Sequence, residues 1–380
     1  MESSDGLREW ITVYAFACTR GRRKGRLVAV KFGLDTFGDV ALPEDGAAQG
    51  PAAQAIRNVV DEAVLADELG VDAFGIGEHH RADFAVSAPD VVLAAIAGRT
   101  EHIALGTAVT VLSSDDPVRV YERFATLDAL SNGRAEVTLG RGSFTESFPL
   151  FGYALTDYEK LFEEKLELFS QLLDEGPVTW SGTVRPPLND QQVYPKTESG
   201  RLKAWVGVGG SPESVIRSVR YGIPMALAII GGNPGRFAPY VDLYKRAQRQ
   251  MGREGMPLAM HSPGFIADTD DLAIEQLYPY QKATMDRIGA ERGWGPQSRE
   301  QFLSEVRHGS LYVGSPETVA RRIADAIRVL GVDRFDLKYA NGPMPHGLLL
   351  HSIELYATEV IPRVRELLAE DSAAAAEEAG

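Results

Sequence analysis

Three polar clusters in this sequence could act together: Glu78-His79-His80, Arg141-Gly142-Ser143 and Gly209-Gly210-Ser211-Pro212-Glu213-Ser214. An imidazole takes or gives a proton near neutral pH, and a neighbouring carboxylate can orient its ring. Arg141 stands between Gly140 and Gly142, so forked donors suited to phosphate oxygens sit where the backbone can approach closely. The Gly209-Gly210-Ser211 run opens a helix, and its first-turn amides with the hydroxyls of Ser211 and Ser214 could cradle a dianionic phosphate. The combination predicts a pocket that holds a phosphate and handles a proton.

Each cluster also has a plainer reading. Adjacent residues on an extended strand point to opposite sides, so His79 and His80 are poorly placed to grip one metal, and the triplet could be structural. Arg141 could pair with a carboxylate in a tight turn, and Ser211 could be a helix cap with Ser214 satisfying the same turn. Gly106-Thr107-Ala108-Val109 is small enough for a planar ring to lie against it, but ordinary packing explains those residues as well. Position favours the functional reading. Each cluster follows a short apolar strand, and parallel α/β proteins bind ligands at the carboxyl ends of their strands.

The elements that must position these residues alternate as β-branched runs and longer stretches of helical period. Eight strands are expected, at 28–34, 73–76, 103–109, 134–139, 204–208, 225–229, 258–266 and 334–338. Helices are expected at 55–69, 117–130, 156–173, 212–220, 234–251, 316–330 and 346–368. Ser211-Pro212, Asp116-Pro117, Asn233-Pro234 and Ser315-Pro316 mark helix starts. Eight strand–helix units favour an α/β fold of the eight-stranded (β/α)8 TIM-barrel type over an open dinucleotide-binding sheet, and no G-x-G-x-x-G follows the first strand. One domain over 27–368 is expected, with insertions at about 177–201 and 268–308 acting as lids at the C-terminal face, the second of them helical at 272–288. Residues 1–26 read as a disordered N-terminal extension, and 369–380, alanine with acidic residues, as a disordered solvated tail.

A net charge of −14 argues against nucleic acid and anionic membrane partners, because the one basic run, Arg20 to Arg26, lies in the extension. A membrane-spanning helix needs about 20 apolar residues, which no segment supplies. Cys18 is the single cysteine, which argues against an intrachain disulfide, a thiolate metal site or a cysteine nucleophile, and suits a reducing cytoplasm. No metal is expected.

In this order the segments resemble the bacterial luciferase-like monooxygenase family, over residues 30–229 and again over 311–365. The resemblance is carried by Gly77-Glu78-His79-His80, by Gly106 to Leu112, by Asp116-Pro117-Val118-Arg119, by Leu127 to Arg134 and by Gly140-Arg141-Gly142. Val313 to Glu317 and Gly342 to His346 are similar to its non-luminescent oxidoreductase branch. The resemblance implies that Arg141, Ser211 and Ser214 bind the 5′-phosphate of FMN, with Gly142, Gly209 and Gly210 around it. It implies that His79 is the catalytic histidine, with His80 its neighbour, and that Ala108-Val109 is a non-prolyl cis peptide against which the isoalloxazine rests. Gly210 stands where luciferase itself has an acidic residue, which argues against light emission.

The implied activity is oxygenation of a small organic substrate by reduced FMN and molecular oxygen through a C4a-(hydro)peroxyflavin. Electrons would come from a separate flavin reductase or from NAD(P)H, and the protein would be a homo-oligomer. His79 would move protons with a pKa near neutrality. Phe37, Phe144, Phe148, Tyr153 and Trp294 suggest an apolar or aromatic substrate, although such residues also pack barrels. The alternatives are a deazaflavin-dependent hydride-transfer oxidoreductase of the same fold, a non-catalytic flavin-binding barrel and, more distantly, a metal-dependent hydrolase.

Overall fold

The structure, a computed structural model, describes residues 30–40, 51–142 and 144–377, without the side chains of 51 and 372–377. The expected N-terminal extension, Cys18, Ser143 and the last three residues lie outside the described ones.

Eight parallel strands form a ring in chain order: β1 Lys31–Thr36, β2 Ala73–Ile76, β3 Ala104–Thr107, β4 Glu136–Gly140, β5 Lys203–Val208, β6 Met225–Ala228, β7 Leu258–Ile266 and β8 Arg334–Lys338. β8 pairs with both β7 and β1. The ring closes between β3 and β4, where the Leu105 amide donates to the Arg134 carbonyl at 2.9 Å and the Thr138 amide to Thr107 Oγ1 at 3.1 Å. Two short strands extend the sheet, Thr110–Val111 beside β4 and Tyr312–Gly314 beside the end of β7.

Helices cover the outside, most of them presenting one apolar stripe to the barrel. Pro316–Leu330, for example, buries Val319, Ala320, Ile323, Ala324, Ile327 and Leu330. Proline at the helix start recurs as expected, but capping differs: Asp116 and Ser211 accept first-turn amides, whereas Ser315 makes no side-chain cap. Helix Pro89–Ala97 was not expected, since Val91 to Ala97 has no polar face to reveal a helical period. The alanine-rich end continues as helix to Glu377, because alanine has the highest helix propensity, and this replaces the expected disordered tail over 369–377.

The barrel interior is polar, and glycines make the room. A Cβ on Gly33 would lie 2.0 Å from Asp336 Oδ1, and one on Gly75 would lie 2.1 Å from Asp35 Oδ1. Gly106 likewise faces the Glu136 side chain at 2.9 Å. Inside, Arg334 bonds Glu136 and, at 2.7 Å, Asp336, while His261 Nδ1 lies 2.5 Å from Asp35 Oδ2. The buried Arg334 and its carboxylate partners are thus paired, as a low-dielectric interior requires.

The two long insertions differ. Residues 268–308 carry helices Asp270–Arg292 and Arg299–His308 after the carboxyl end of β7. Residues 177–201 carry a hairpin, Val178–Trp180 with Leu188–Gln191, whose contacts are with the outer helices. Trp180 donates to Glu167 at 3.3 Å, Thr183 to Glu164 at 2.7 Å and Arg185 to Asp116 at 2.9 Å. This hairpin braces the wall and is not the lid expected from its length.

Candidate active site

His79 follows β2 in a pocket walled by rings from separate segments. Its imidazole centroid lies 4.4 Å from Phe37, 4.6 Å from Phe84 and 5.4 Å from Phe144. Burial, helped by the nearby positive charge of Lys338, pushes its pKa down to about 3. Where the sequence suggests a pKa near neutrality, burial favours the neutral ring, because taking a charge away from water here is costly. Lys338, at the end of β8, lies over the Phe37 ring with Nζ 4.5 Å from its centroid and 3.6 Å from Asp39 Oδ2. Burial pushes Lys338 down and Asp39 up, and the attraction between the two opposes both shifts.

His80 turns elsewhere, as strand alternation predicts. Its Nε2 lies 2.9 Å from Glu78 Oε1, and its ring meets Phe151 edge-on at 5.0 Å. Glu78 Oε2 accepts the Val111 amide at 2.8 Å, and the Glu78 amide donates to the Val109 carbonyl at 3.1 Å. Glu78 and His80 thus hold the segment after β3 in place.

That segment contains the cis Ala108–Val109 peptide. The Val109 side chain occupies space left by two glycines, since a Cβ on Gly140 would come within 2.4 Å of it and one on Gly207 within 3.2 Å. The segment therefore spans from Glu78, just after β2, to the ends of β4 and β5.

At those ends Arg141, Ser211 and Ser214 converge. Arg141 Nη2 donates to Ser214 Oγ at 3.4 Å, and Ser211 Oγ lies 3.0 Å from Ser214 Oγ while accepting the Ser214 amide at 3.1 Å. Ser211 caps helix Pro212–Tyr221. Gly142 and Gly210 adopt φ of +77° and +104°, which admits glycine and few other residues, and a Cβ on Gly209 would meet open space. The guanidinium of Arg141 lies 5.1 Å from the Tyr158 ring, and Tyr158 donates to the Gly142 carbonyl at 3.3 Å. Arg141 also bonds Glu159, which bonds Arg217 in turn. Forked cationic donors, two hydroxyls and a helix start fit a phosphate.

Helix Asp270–Arg292 reaches the same mouth. Arg81, directly after His80, bonds Asp83 at 2.9 Å, Glu291 at 2.6 Å and Glu146, while Arg287 bonds Asp83 at 3.0 Å. The guanidinium groups of Arg81 and Arg292 lie 4.5 and 5.3 Å from the Phe144 ring.

The model of the luciferase-like monooxygenase family matches residues 36–334 of this chain. The chain belongs to that family. The alkanal monooxygenase alpha chain of Photobacterium leiognathi is 30% identical over 334 residues, 80% of this chain and 92% of its own length. Monooxygenase RslO1 from Streptomyces bottropensis superposes with a TM-score of 0.75 at 24% identity, covering 87% of this chain and 99% of its own. The oxygenating constituent of 3,6-diketocamphane monooxygenase from Pseudomonas putida, solved with FMN, gives 0.70 at 18% identity over 88% and 99%. The coenzyme F420 dependent tetrahydromethanopterin reductase of Methanopyrus kandleri gives 0.67 at 20% over the same shares. At these identities the solved structures show the shared barrel fold.

In this luciferase-like monooxygenase the structure assembles two groups from the expected residues, His79 with Phe37 and Phe144, and Arg141 with Ser211 and Ser214. Phe148 instead stacks on Tyr158 at 5.5 Å, Tyr153 takes Lys165 over its ring at 4.2 Å, and Trp294 is 52% exposed. Phe84, Lys338, Glu159 and Arg217 were not expected, because no local motif surrounds them. Among the described residues no cluster of His, Cys, Asp and Glu is arranged to hold a metal, and no helix is long and apolar enough to cross a membrane.

Proposed function

We propose that this luciferase-like monooxygenase uses reduced FMN and molecular oxygen to oxygenate a small, largely apolar organic substrate. The observation that carries the reading is the convergence of Arg141, Ser211 and Ser214 at the ends of β4 and β5, joined to the His79 segment by Val109, whose carbonyl accepts the Glu78 amide and whose side chain fills the space beside Gly140 and Gly207. Reduced flavin, when bound, supplies two electrons, so that one atom of dioxygen enters the substrate and the other leaves as water.

The residues divide the remaining work. Arg141 and the two hydroxyls hold the phosphate, and Ala108 and Val109 form a floor between phosphate and imidazole. Phe37, Phe84 and Phe144 exclude water and present an apolar wall to the substrate. His79, neutral at pH 7, offers one nitrogen as donor and the other as acceptor, and so positions a reacting oxygen without bringing a charge. Reduced flavin comes from a separate reductase or is regenerated by a nicotinamide.

Oxygen uptake by the purified protein, supplied with reduced FMN and a panel of aldehydes, ketones and aromatics, tests this reading. Product heavier by one oxygen atom is expected with one class. Hydride transfer with a deazaflavin and no oxygen uptake would assign the chain to the other branch.

A further inference from the structure

The phosphate cradle already holds an anion belonging to the chain. Glu159, on the first turn of helix Tyr158–Leu172, accepts from Arg141 Nη1 through one oxygen and from Arg217 Nη2 through the other, at 3.2 Å. Arg217 sits one turn beyond Ser214 on helix Pro212–Tyr221, with a side chain only 9% exposed. Its Nε bonds Glu163, and its Nη1 is buried with no hydrogen-bond partner. The Arg217 guanidinium lies 5.5 Å from the Phe162 ring and shares the Glu159 carboxylate with Arg141, so its buried nitrogen without an acceptor leaves room for one more oxygen near the cradle.

The charges explain what must move. Arg141, Arg217 and Arg220 carry +3 and Glu159 and Glu163 carry −2, so the group keeps a net charge of only +1 with both carboxylates in place. A dianionic phosphate entering it would face both. Glu163 is fixed, bonded to Tyr221 at 2.7 Å, to Arg220 at 3.3 Å and to Arg217. Glu159 has a side chain 63% exposed and needs only a rotation to be hydrated.

We propose that Glu159 is a displaceable internal anion that occupies the cradle until a flavin phosphate replaces it, and that Arg217 is a further phosphate-binding residue unmasked by that exchange. The proposal rests on the reading of Arg141, Ser211 and Ser214 as a flavin-phosphate site. Its consequence is weak, readily exchanged flavin. Reduced flavin then enters and oxidised flavin leaves as a co-substrate at each turnover.

The test is equilibrium titration of FMN, riboflavin and inorganic phosphate into the full chain and its Glu159→Gln, Glu159→Ala and Arg217→Met variants. Both Glu159 variants should bind FMN and phosphate roughly tenfold more tightly, a change of about 1.4 kcal/mol. Riboflavin, which lacks the phosphate, should bind all forms alike. Arg217→Met should weaken FMN, and Arg217→Lys should restore part of the loss. If the wild type prefers FMN to riboflavin but neither Glu159 variant tightens it, Glu159 is a surface partner of Arg141 and the proposal is overturned while the phosphate site stands. If the wild type shows no such preference and no form binds phosphate, both readings fall.

Discussion

Lys338 Nζ stands 4.5 Å from the centroid of Phe37, and the Phe37 ring lies 4.4 Å from the imidazole of His79. A cation, an aromatic ring and a buried imidazole thus stand in series. After burial, the charge of Lys338 is the largest influence keeping His79 unprotonated. Burial therefore favours the neutral imidazole, which the proposed reaction would use as a hydrogen-bonding group.

Replacing His79 with alanine should lower turnover by about 10²-fold or more while leaving FMN affinity near the wild-type value. Steady-state oxygen uptake and a flavin titration on the same preparation separate the two effects. Unchanged turnover would remove His79 from the reaction.

Acid should expose the neutral burial of this ring. The unfolded chain binds a proton to His79 below about pH 6.5 and the folded chain only near pH 3, so stability is lost as pH falls through that window. The loss approaches about 1.4 kcal/mol per pH unit. Asp336 acts in the opposite direction, because burial raises its pKa to about 7 and its contribution is lost as pH rises above 3.8. The two slopes overlap, so the informative quantity is the difference between wild type and His79→Gln. Urea unfolding at pH 4.5 and 6.5 should show a shallower acid loss for the variant.

The glycines inside the barrel are spaces for carboxylates. Gly33→Ala places a methyl 2.0 Å from Asp336 Oδ1 and 3.2 Å from the Ala73 carbonyl, so the neighbours must shift. A destabilisation of about 1–3 kcal/mol is expected from overpacking. Denaturant midpoints measure it, and a neutral result would mean that the interior carboxylates are free to move.

Arg81 ties helix Asp270–Arg292 to the mouth through Glu291 and Glu146. Arg81→Met should release the end of that helix, seen as faster amide exchange over 283–292, with the barrel strands unaffected. A raised KM with smaller change in kcat is expected if the helix covers bound substrate. Unaltered exchange would show the helix to be held by packing and by the Arg287–Asp83 pair without Arg81.

All eight barrel strands were legible because each is a short β-branched or apolar run ending in glycine or polar residues. Helix Pro89–Ala97 escaped because an all-apolar segment has no period to read. Arg141, Ser211 and Ser214 were legible because glycines at strand ends announce close backbone approach. Glu159 and Arg217 lie on ordinary amphipathic helices, and only the packing of Tyr158–Leu172 against Pro212–Tyr221 brings them together. The protonation state of His79 was illegible for the same reason, since its burial depends on Phe37, Phe84 and Phe144, which the fold gathers from three segments.

The most direct test compares FMN with riboflavin in wild type and Arg141→Met. Wild type should favour FMN, and the variant should lose about 1.5–3 kcal/mol of FMN affinity, the worth of a hydrogen bond to a charged group, with riboflavin binding unchanged. Equal affinity of wild type for the two flavins, or an Arg141→Met protein that still prefers FMN as strongly, would contradict the assignment of this cradle to a flavin phosphate.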